Sequence, residues 1–524
     1  MTHKIAQGSS AEITEPRLRG SEVRLFLFAI CLCIIARGSS LFSGSFNVDD
    51  LWAWPSNFGF DALKVIAFRE GRFFGPVVAE IFRDLGSNAS LTFTLSALVL
   101  MACQAATGLL VCRLWAINDD WRLSAIATSF LVLHPYQADL ASWRVAQFTG
   151  GLPFVMMFWA LLACTRSAKA LGISVVVIVL ALGIHQIPLE MAAAALVLQV
   201  PLALARGTFD RQEWIGRLGA LTMGLVLYVV LANLVIAFTN HEGSIGRDKI
   251  ILLSNPALVI ARSRELLSMM AARDPLAGWL TRVLLAATAG LCVGQIILAK
   301  TTVLKRIVMA ASLVISIVVA FLCAISLTVI PEAWVPVFRN MLSVGVIWAA
   351  IATMAFALSG DMVRRVVIAA IIPILLGFVG SNNTVLSDQQ RVNRRDLSMM
   401  NRIAVDIDAL ANVSTVNRLL FIGTNNTPLN GIATAADLSN GWHAYGTSLS
   451  VFAVPWPGYL TQLYNELTGL RFGYGATNQE QVWAQESCRG RHWPEKGSVL
   501  GNGSLAVVCL GAPTHIERGA FDDQ

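Results

Sequence analysis

Apolar segments long enough to cross a bilayer recur along most of this 524-residue chain. A helix that crosses the hydrocarbon core needs about 20 mostly apolar residues. The chain is 55% hydrophobic and only 14% charged, whereas an average soluble domain is about a quarter charged. The sequence therefore predicts an all-α polytopic membrane bundle of about eleven spans, and it excludes a soluble enzyme. The predicted spans are 24–43, 89–112, 123–136, 150–165, 170–189, 190–205, 216–238, 279–299, 307–330, 340–359 and 365–380.

The distribution of Lys and Arg predicts which side of the membrane each loop lies on, because cytoplasmic loops carry an excess of both. The N-terminal segment 1–23 and every second loop after it are basic. We therefore expect residues 1–23 to be cytoplasmic and, with an odd number of spans, residues 381–524 to be extracytoplasmic. The same bias explains the net charge of +6. There is no basic run of five or more residues, so we expect no nucleic-acid partner.

Three segments outside the membrane have structure of their own. The loop at 44–88 carries apolar residues at helical spacing, which is typical of helices that lie in the membrane interface. A second long external loop spans 239–279. The sequence pattern of the tail at 381–524 predicts a small α/β domain. Its predicted helices are 394–410, 460–467 and 480–486, and its predicted strands are 418–423 and 505–510.

Only two of the nine cysteines lie in this polar tail, Cys488 and Cys509. A disulfide between them is expected if the tail lies outside the cytoplasm, where thiols are oxidised. The other seven lie in or beside apolar spans, where Cys behaves as a small hydrophobic residue. No pair has the spacing of a zinc site.

Polar side chains concentrate at the predicted external ends of the spans. Ionisable groups at the membrane are costly, so their presence indicates a functional site. Each also has an ordinary explanation by itself, such as a solvated turn, an arginine that reaches lipid headgroups, or a histidine that only packs. The candidates are Asp49, Asp50, Arg72, His134, Tyr136, Arg144, Gln147, His185, Gln186, Glu190 and Arg339.

These residue types suit a substrate with a lipid tail and an anionic head that carries a sugar. The adjacent carboxylates of Asp49 and Asp50 can supply a general base or ligands for a divalent cation. Arginine can hold phosphate oxygens through its planar fork, which predicts phosphate contacts for Arg72, Arg144 and Arg339. We expect the remaining residues to contact the substrate, namely His134, Tyr136, Gln147, His185, Gln186 and Glu190. An aspartate would take the proton of an attacking sugar hydroxyl while arginines stabilise the departing phosphate.

Five segments in this order resemble the glucosyltransferase-II-like, or Gtr-type, enzymes that modify bacterial O-antigen, which are glycosyltransferases of the GT-C superfamily. They are VDDLW (48–52), GRFFGPVVAEIF (71–82), HPYQADLASWRVAQFTGGLP (134–153), LGIHQIPLEMA (182–192) and DQQRVNRRDLSMMNRIAVDI (388–407). The resemblance covers most of the chain, although each motif is short.

The resemblance implies transfer of glucose from undecaprenyl-phosphate glucose to lipid-linked or nascent O-antigen, on the periplasmic side of the bacterial inner membrane. It also implies inversion at the anomeric carbon, and a separate flippase and donor synthase as partners. Asp49 and Asp50 match the family's acidic pair, and Arg72 matches the arginine of its GR dipeptide. Tyr136 and Gln186 match its later motifs.

His134 and His185 depart from the family pattern, since they stand where Asn-like and Tyr-like residues are expected. The roles of Arg144 and Arg339 rest on the physical argument alone.

Two other functions remain open at this stage. A transporter or flippase of lipid-linked glycans would show paired halves with broken helices in matching positions, and the sequence has no such symmetry. A glycan ligase or polymerase would favour a large external loop late in the bundle. The sequence leaves open the sugar, the acceptor, the linkage and the use of a divalent cation.

Overall fold

A computed structural model gives the architecture of most of the chain. It describes residues 20–42, 71–84, 89–142, 144–239, 251–252, 254–272, 278–299, 301–331, 338–411, 413–423 and 457–511. These residues form a helical bundle followed by a small three-stranded domain. The α/β character that the sequence predicts for the tail is confirmed.

Fifteen helices lie between residue 20 and the C-terminal domain in the described part of the chain. They are α1 (Gly20–Arg37), α2 (Ser39–Phe42), α3 (Gly75–Asp84), α4 (Ala89–Leu114), α5 (Trp121–Leu133), α6 (Tyr136–Ser142), α7 (Arg144–Ala163), α8 (Ala168–Ile184), α9 (Ile187–Arg206), α10 (Arg211–Thr239), α11 (Pro256–Ala272), α12 (Trp279–Leu298), α13 (Val303–Val329), α14 (Ser343–Leu358) and α15 (Asp361–Asp408). A short 3₁₀ helix, Phe338–Met341, precedes α14.

Each of the eleven predicted spans overlaps at least one of these helices, although the spans 123–136 and 170–189 run across the breaks after α5 and α8. Among the described residues, seven helical segments are long and apolar enough to cross a membrane, namely α4, α9, α10, α12, α13, α15, and α14 together with the 3₁₀ helix before it, as Phe338–Leu358. The helices α5 and α8 and the part of α7 from Gly150 are apolar but shorter. A 13-residue helix such as α5 is only about 20 Å long, against a hydrocarbon core of about 30 Å. The count of eleven crossings therefore stays a prediction.

Short connections make consecutive helices antiparallel neighbours, so the bundle has two distinct ends. One end, which we call the basic end, holds the connections 115–120, 164–167, 207–210, 299–302 and 359–360. Lys and Arg flank all of these connections. The opposite end holds the break between α5 and α6, the break between α8 and α9, and the 3₁₀ helix before α14. We call it the polar end.

Glycine allows α10 to lie directly against α8, which positions one side of the polar end. A Cβ at Gly224 in α10 would lie 2.4 Å from the Cγ2 atom of Ile178 in α8, so no larger residue fits there without movement. Small residues at helix contacts are the usual means of close approach in membranes. Tyr228 follows one turn later on the same face of α10.

The helix α15 is 48 residues long, which corresponds to about 72 Å. Its first half buries Ile371 and Phe378 in the bundle, and its last turns bury Met400 and Ile403 in the core of the C-terminal domain. The helix predicted at 394–410 is thus the end of a continuous element, and the predicted domain boundary near 380 falls inside it. The polar residues from 381 to the end of the helix at Asp408 contain no Pro or Gly, so no helix-breaking residue interrupts them.

The C-terminal domain has a mixed sheet with strand order β1-β3-β2. The strands are β1 (Arg418–Gly423), β2 (Val499–Asn502) and β3 (Leu505–Gly511), with α16 (Pro457–Thr468) and α17 (Asn478–Ser487) beside them. β1 runs parallel to β3, and β2 is antiparallel to it. The sequence predicts β1 and β3 but misses β2, although the two-residue loop Gly503-Ser504 between β2 and β3 is a typical hairpin signal. A disulfide joins Cys488, after α17, to Cys509 in β3.

Candidate functional site

The described candidate residues all lie at the polar end of the bundle. They form one group around Arg72 and a second around Tyr136, with His185 and Glu190 beside the first group. Asp49 and Asp50 lie outside the described residues, as do the side chains of Arg144 and Gln147. Their roles therefore stay predictions.

The segment that contains Arg72 begins at a glycine that no other residue can easily replace. Gly71 has φ +71°, a backbone conformation that favours glycine. A Cβ at this position would also lie 2.7 Å from the hydroxyl oxygen of Tyr228. Both the positive φ at this position and the close approach of Tyr228 therefore require glycine.

The two phenylalanines that follow Arg72 pack on the C-terminal end of α8. The backbone N–H of Phe74 donates to the carbonyl oxygen of Gly183, at 2.8 Å. A Cβ at Gly183 would lie 2.8 Å from the ring of Phe73 and 2.9 Å from that of Phe74. This contact fixes the start of α3 against the end of the bundle.

Arg72 is held by Gln186, which occupies the break between α8 and α9. The Nε atom of Arg72 donates to Oε1 of Gln186 at 3.2 Å. Nε2 of Gln186 donates to the hydroxyl of Tyr228 at 2.8 Å. That hydroxyl in turn donates to the carbonyl oxygen of Gly71 at 3.3 Å. The structure thus brings together two predicted residues, Arg72 and Gln186.

Sequence reasoning missed Tyr228, although one signal was available. It is the only tyrosine in α10, and its neighbours on either side are apolar. A tyrosine hydroxyl within an apolar helix needs a hydrogen-bond partner, so this residue could have been marked as part of a polar contact. Its partners could not have been named, because they lie in segments far away in sequence.

The Gly71 contact leads to a prediction for Gly71→Ala. The added methyl group meets the Tyr228 hydroxyl, and the positive φ costs about 1–2 kcal/mol for an L-residue. We expect the free energy of unfolding to fall by about 1–3 kcal/mol, measured as a lower thermal unfolding midpoint in detergent. Gly172→Ala is the matched control, because a Cβ at this α8 position meets nothing within 4 Å. Equal midpoints for the two variants would contradict the assignment.

The second group is an aromatic cluster at the break between α5 and α6. The ring of Tyr136 stacks on that of Phe338 with centroids 4.6 Å apart. The imidazole of His134 lies edge-on to Tyr136 at 4.6 Å and to Phe378 at 5.3 Å. Nδ1 of His134 accepts a hydrogen bond from the backbone N–H of Tyr136. Both predicted residues are buried, and both form the wall of this end of the bundle.

Arg339 is oriented by Asp139, a buried aspartate of α6. The backbone N–H of Arg339 donates to Oδ2 of Asp139 at 2.8 Å, and its Nη1 lies 3.6 Å from Oδ1. The two residues are 200 positions apart in sequence. A carboxylate at this distance attracts the guanidinium, and a phosphate contact for Arg339 stays a prediction.

His185 and Glu190 have partners within the protein. Nδ1 of His185 accepts from the N–H of Ile187, at the start of α9. The carboxylate of Glu190 is 2% exposed, and its Oε1 accepts from the hydroxyl of Ser326 and the backbone N–H of Leu327 in α13. These contacts join α9 to its neighbours, and a substrate contact for either residue stays a prediction.

A buried arginine that the sequence reasoning did not select lies at the end of α1. Arg37 is fully buried. Its guanidinium donates to the carbonyl oxygen of Val132 at 2.7 Å, to Oε1 of Gln104 at 2.6 Å and to Oδ1 of Asn382 at 3.3 Å. It therefore connects α1, α4, α5 and α15. An arginine at the end of an apolar span usually reaches lipid headgroups, so the sequence gives no signal for this network.

No group of three or more His, Cys, Asp or Glu side chains among the described residues is arranged to hold a metal ion. The divalent cation that the sequence leaves open would involve Asp49 and Asp50, which lie outside those residues. Its use stays open.

Comparison with known proteins identifies a family. The family model described as Glucosyl transferase GtrII matches residues 38–356. This range covers more than half of the chain and includes both groups of candidate residues. No curated protein and no solved structure matches the chain.

Proposed function

Because this chain belongs to the GtrII glucosyl transferase family and carries several helices long and apolar enough to cross a membrane, we propose that it transfers glucose from undecaprenyl-phosphate glucose. The acceptor would be a lipid-linked or nascent O-antigen or a related cell-surface polysaccharide. The reaction would follow the GT-C pattern, with a lipid-linked donor and inversion at the anomeric carbon.

The contact that carries this proposal is the one between Arg72 and Gln186. It fixes a guanidinium at the polar end of the bundle, where the proposal places the phosphate of the lipid-linked donor. A guanidinium there offers planar, bidentate recognition of phosphate oxygens. Arg339, held by Asp139, and Arg144 are the further phosphate contacts of the proposal.

The chemistry needs one base and a stabilised leaving group. A hydroxyl of the acceptor attacks C1 of glucose from the face opposite the phosphate, and Asp49 or Asp50 takes its proton. The bond between C1 and the phosphate oxygen breaks, and undecaprenyl phosphate departs with the electron pair. Arg72 stabilises the negative charge that develops on this phosphate. A divalent cation at the acidic pair is compatible with this scheme but is not required by it.

We place the polar end on the periplasmic side of the bacterial inner membrane. The basic end is then cytoplasmic, as the excess of Lys and Arg in its loops favours, and so is the N-terminal segment. The C-terminal domain follows α15 out of the polar end, and its disulfide suits an oxidising compartment. A donor made in the cytoplasm would have to be flipped first, which is why we expect a flippase and a synthase as partners.

The proposal is tested with the purified protein in lipid nanodiscs, radiolabelled undecaprenyl-phosphate glucose and lipid-linked O-antigen. We expect glucose in the polymer and release of undecaprenyl phosphate, with no nucleotide sugar present. Arg72→Lys should lower the rate at least tenfold, because lysine keeps the charge but loses the planar fork. Arg365→Lys, at an exposed site of the basic end, is the control. A flippase would leave the donor intact, and transfer only from UDP-glucose would contradict the proposal.

A further inference from the structure

The hydroxyl of Tyr228 stands at the end of a directed chain of hydrogen bonds that leads to Arg72. A guanidinium can only donate, so Gln186 must present its carbonyl oxygen to Arg72. The amide nitrogen of Gln186 then faces Tyr228, whose hydroxyl must accept this bond. The proton of that hydroxyl is left for the carbonyl oxygen of Gly71. Each bond therefore fixes the direction of the next.

This series of hydrogen bonds ends at the backbone of the segment that contains Arg72. Gly71 is the residue immediately before Arg72. Tyr228 therefore constrains Arg72 in two ways, by its hydrogen bond to the backbone of Gly71 and by its hydrogen bond with Gln186. The ring of Tyr228 also stacks on Phe73, with centroids 6.0 Å apart and an angle of 21°. Tyr228 is buried, which keeps competing water away from its hydroxyl.

We propose that Tyr228 is a positioning residue for the donor phosphate, which acts through Gln186 and Gly71 by fixing the plane of the Arg72 guanidinium. This proposal rests on the proposed function in assigning the phosphate to Arg72. It changes the expected role of Gln186, which orients the arginine and does not itself contact the sugar. The structural elements involved are the loop before α3, the break between α8 and α9, and α10.

Tyr228→Phe isolates the hydroxyl, because the phenylalanine ring keeps the stacking on Phe73. The hydrogen bond of Phe74 to Gly183 also remains and holds the backbone of the segment. One lost hydrogen bond of this kind corresponds to about a fivefold to tenfold weaker affinity. Tyr464→Phe is the matched control, because Tyr464 is a buried tyrosine of the C-terminal domain whose hydroxyl makes no hydrogen bond with the described residues.

The experiment measures binding of undecaprenyl phosphate to the protein in nanodiscs for wild type, Tyr228→Phe, Arg72→Lys and the double variant. We expect Tyr228→Phe to weaken binding fivefold to tenfold in the wild-type background and less than twofold in the Arg72→Lys background. Such non-additivity shows that one residue acts through the other. A merely structural role would give equal factors in both backgrounds.

Glucosyl transfer is measured in parallel, so that the two proposals fail separately. Binding with the expected non-additivity but without transfer supports the role of Tyr228 and contradicts the proposed function. Transfer with additive effects, or with an unchanged affinity in Tyr228→Phe, overturns the role of Tyr228 alone. Absence of both binding and transfer in the wild-type protein overturns both. A weaker affinity in Tyr464→Phe of similar size would also overturn the specific role of Tyr228.

Discussion

At least one of the variants Asp49→Asn and Asp50→Asn is expected to lose glucosyl transfer by about 100-fold or more, the usual contribution of a general base. Asparagine keeps the size of the side chain but cannot take the proton of the attacking hydroxyl. The measurement is the initial rate with labelled undecaprenyl-phosphate glucose at saturating acceptor. Binding of undecaprenyl phosphate should change little, because the base faces the acceptor.

The control for this pair is Asp119→Asn. Asp119 also belongs to an adjacent acidic pair, but it is exposed at the basic end of the bundle. Its replacement should leave the transfer rate within about twofold of wild type, as expected for an exposed charge outside the site. Full activity in both Asp49→Asn and Asp50→Asn would show that neither residue is the base.

Arg37→Met is expected to cause the largest loss of stability among the substitutions considered. The variant lacks the hydrogen bonds of the guanidinium to Val132, Gln104 and Asn382. The three acceptor oxygens then stay buried without this donor, which destabilises the folded state. We expect the free energy of unfolding to fall by about 2–5 kcal/mol. The measurement is the unfolding transition of the purified protein in detergent.

Arg365→Met is the matched control for Arg37→Met. It removes an exposed arginine at the basic end and should change the free energy of unfolding by less than about 0.5 kcal/mol. Arg37→Lys should fall between the two, since it keeps the charge but reaches fewer acceptors. If Arg37→Met unfolds at the same midpoint as wild type, the network does not stabilise the bundle.

The helices could be predicted because each depends on a local pattern. Every predicted span overlaps a helix, and the strands Arg418–Gly423 and Leu505–Gly511 follow from short apolar runs beside polar segments. The end of the long helix α15 was assigned to a separate element, because its polar second half differs in composition from its membrane half. The backbone nevertheless continues, since composition alone does not end a helix.

The sequence alone could identify some residues of the polar site but not the contacts between them. Arg72 and Gln186 could be selected because each stands in a short motif at the end of an apolar span. Their connection through Tyr228 depends on the contact between α8 and α10 that Gly224 allows, and no local pattern encodes such a contact. The pair of Asp139 and Arg339, 200 residues apart, was hidden for the same reason.

Buried polar residues show a second limit of the sequence. Arg37 and Glu190 both lie at the ends of helices, where an arginine usually reaches lipid headgroups and a glutamate usually faces solvent. Only the packing of neighbouring helices shows that both are buried and hydrogen-bonded. A polar residue at a helix end can bind substrate or stabilise the fold, and the hydrogen-bond partners on the neighbouring helix decide which.

The most direct test of the account is a cryo-electron microscopy structure of the protein with undecaprenyl-phosphate glucose bound in a nanodisc. The account predicts the donor phosphate at the polar end, with its oxygens about 3 Å from the guanidinium nitrogens of Arg72. The anomeric carbon should lie beside Asp49 or Asp50. A donor headgroup bound at the basic end, or at the polar end but out of reach of Arg72, would contradict it.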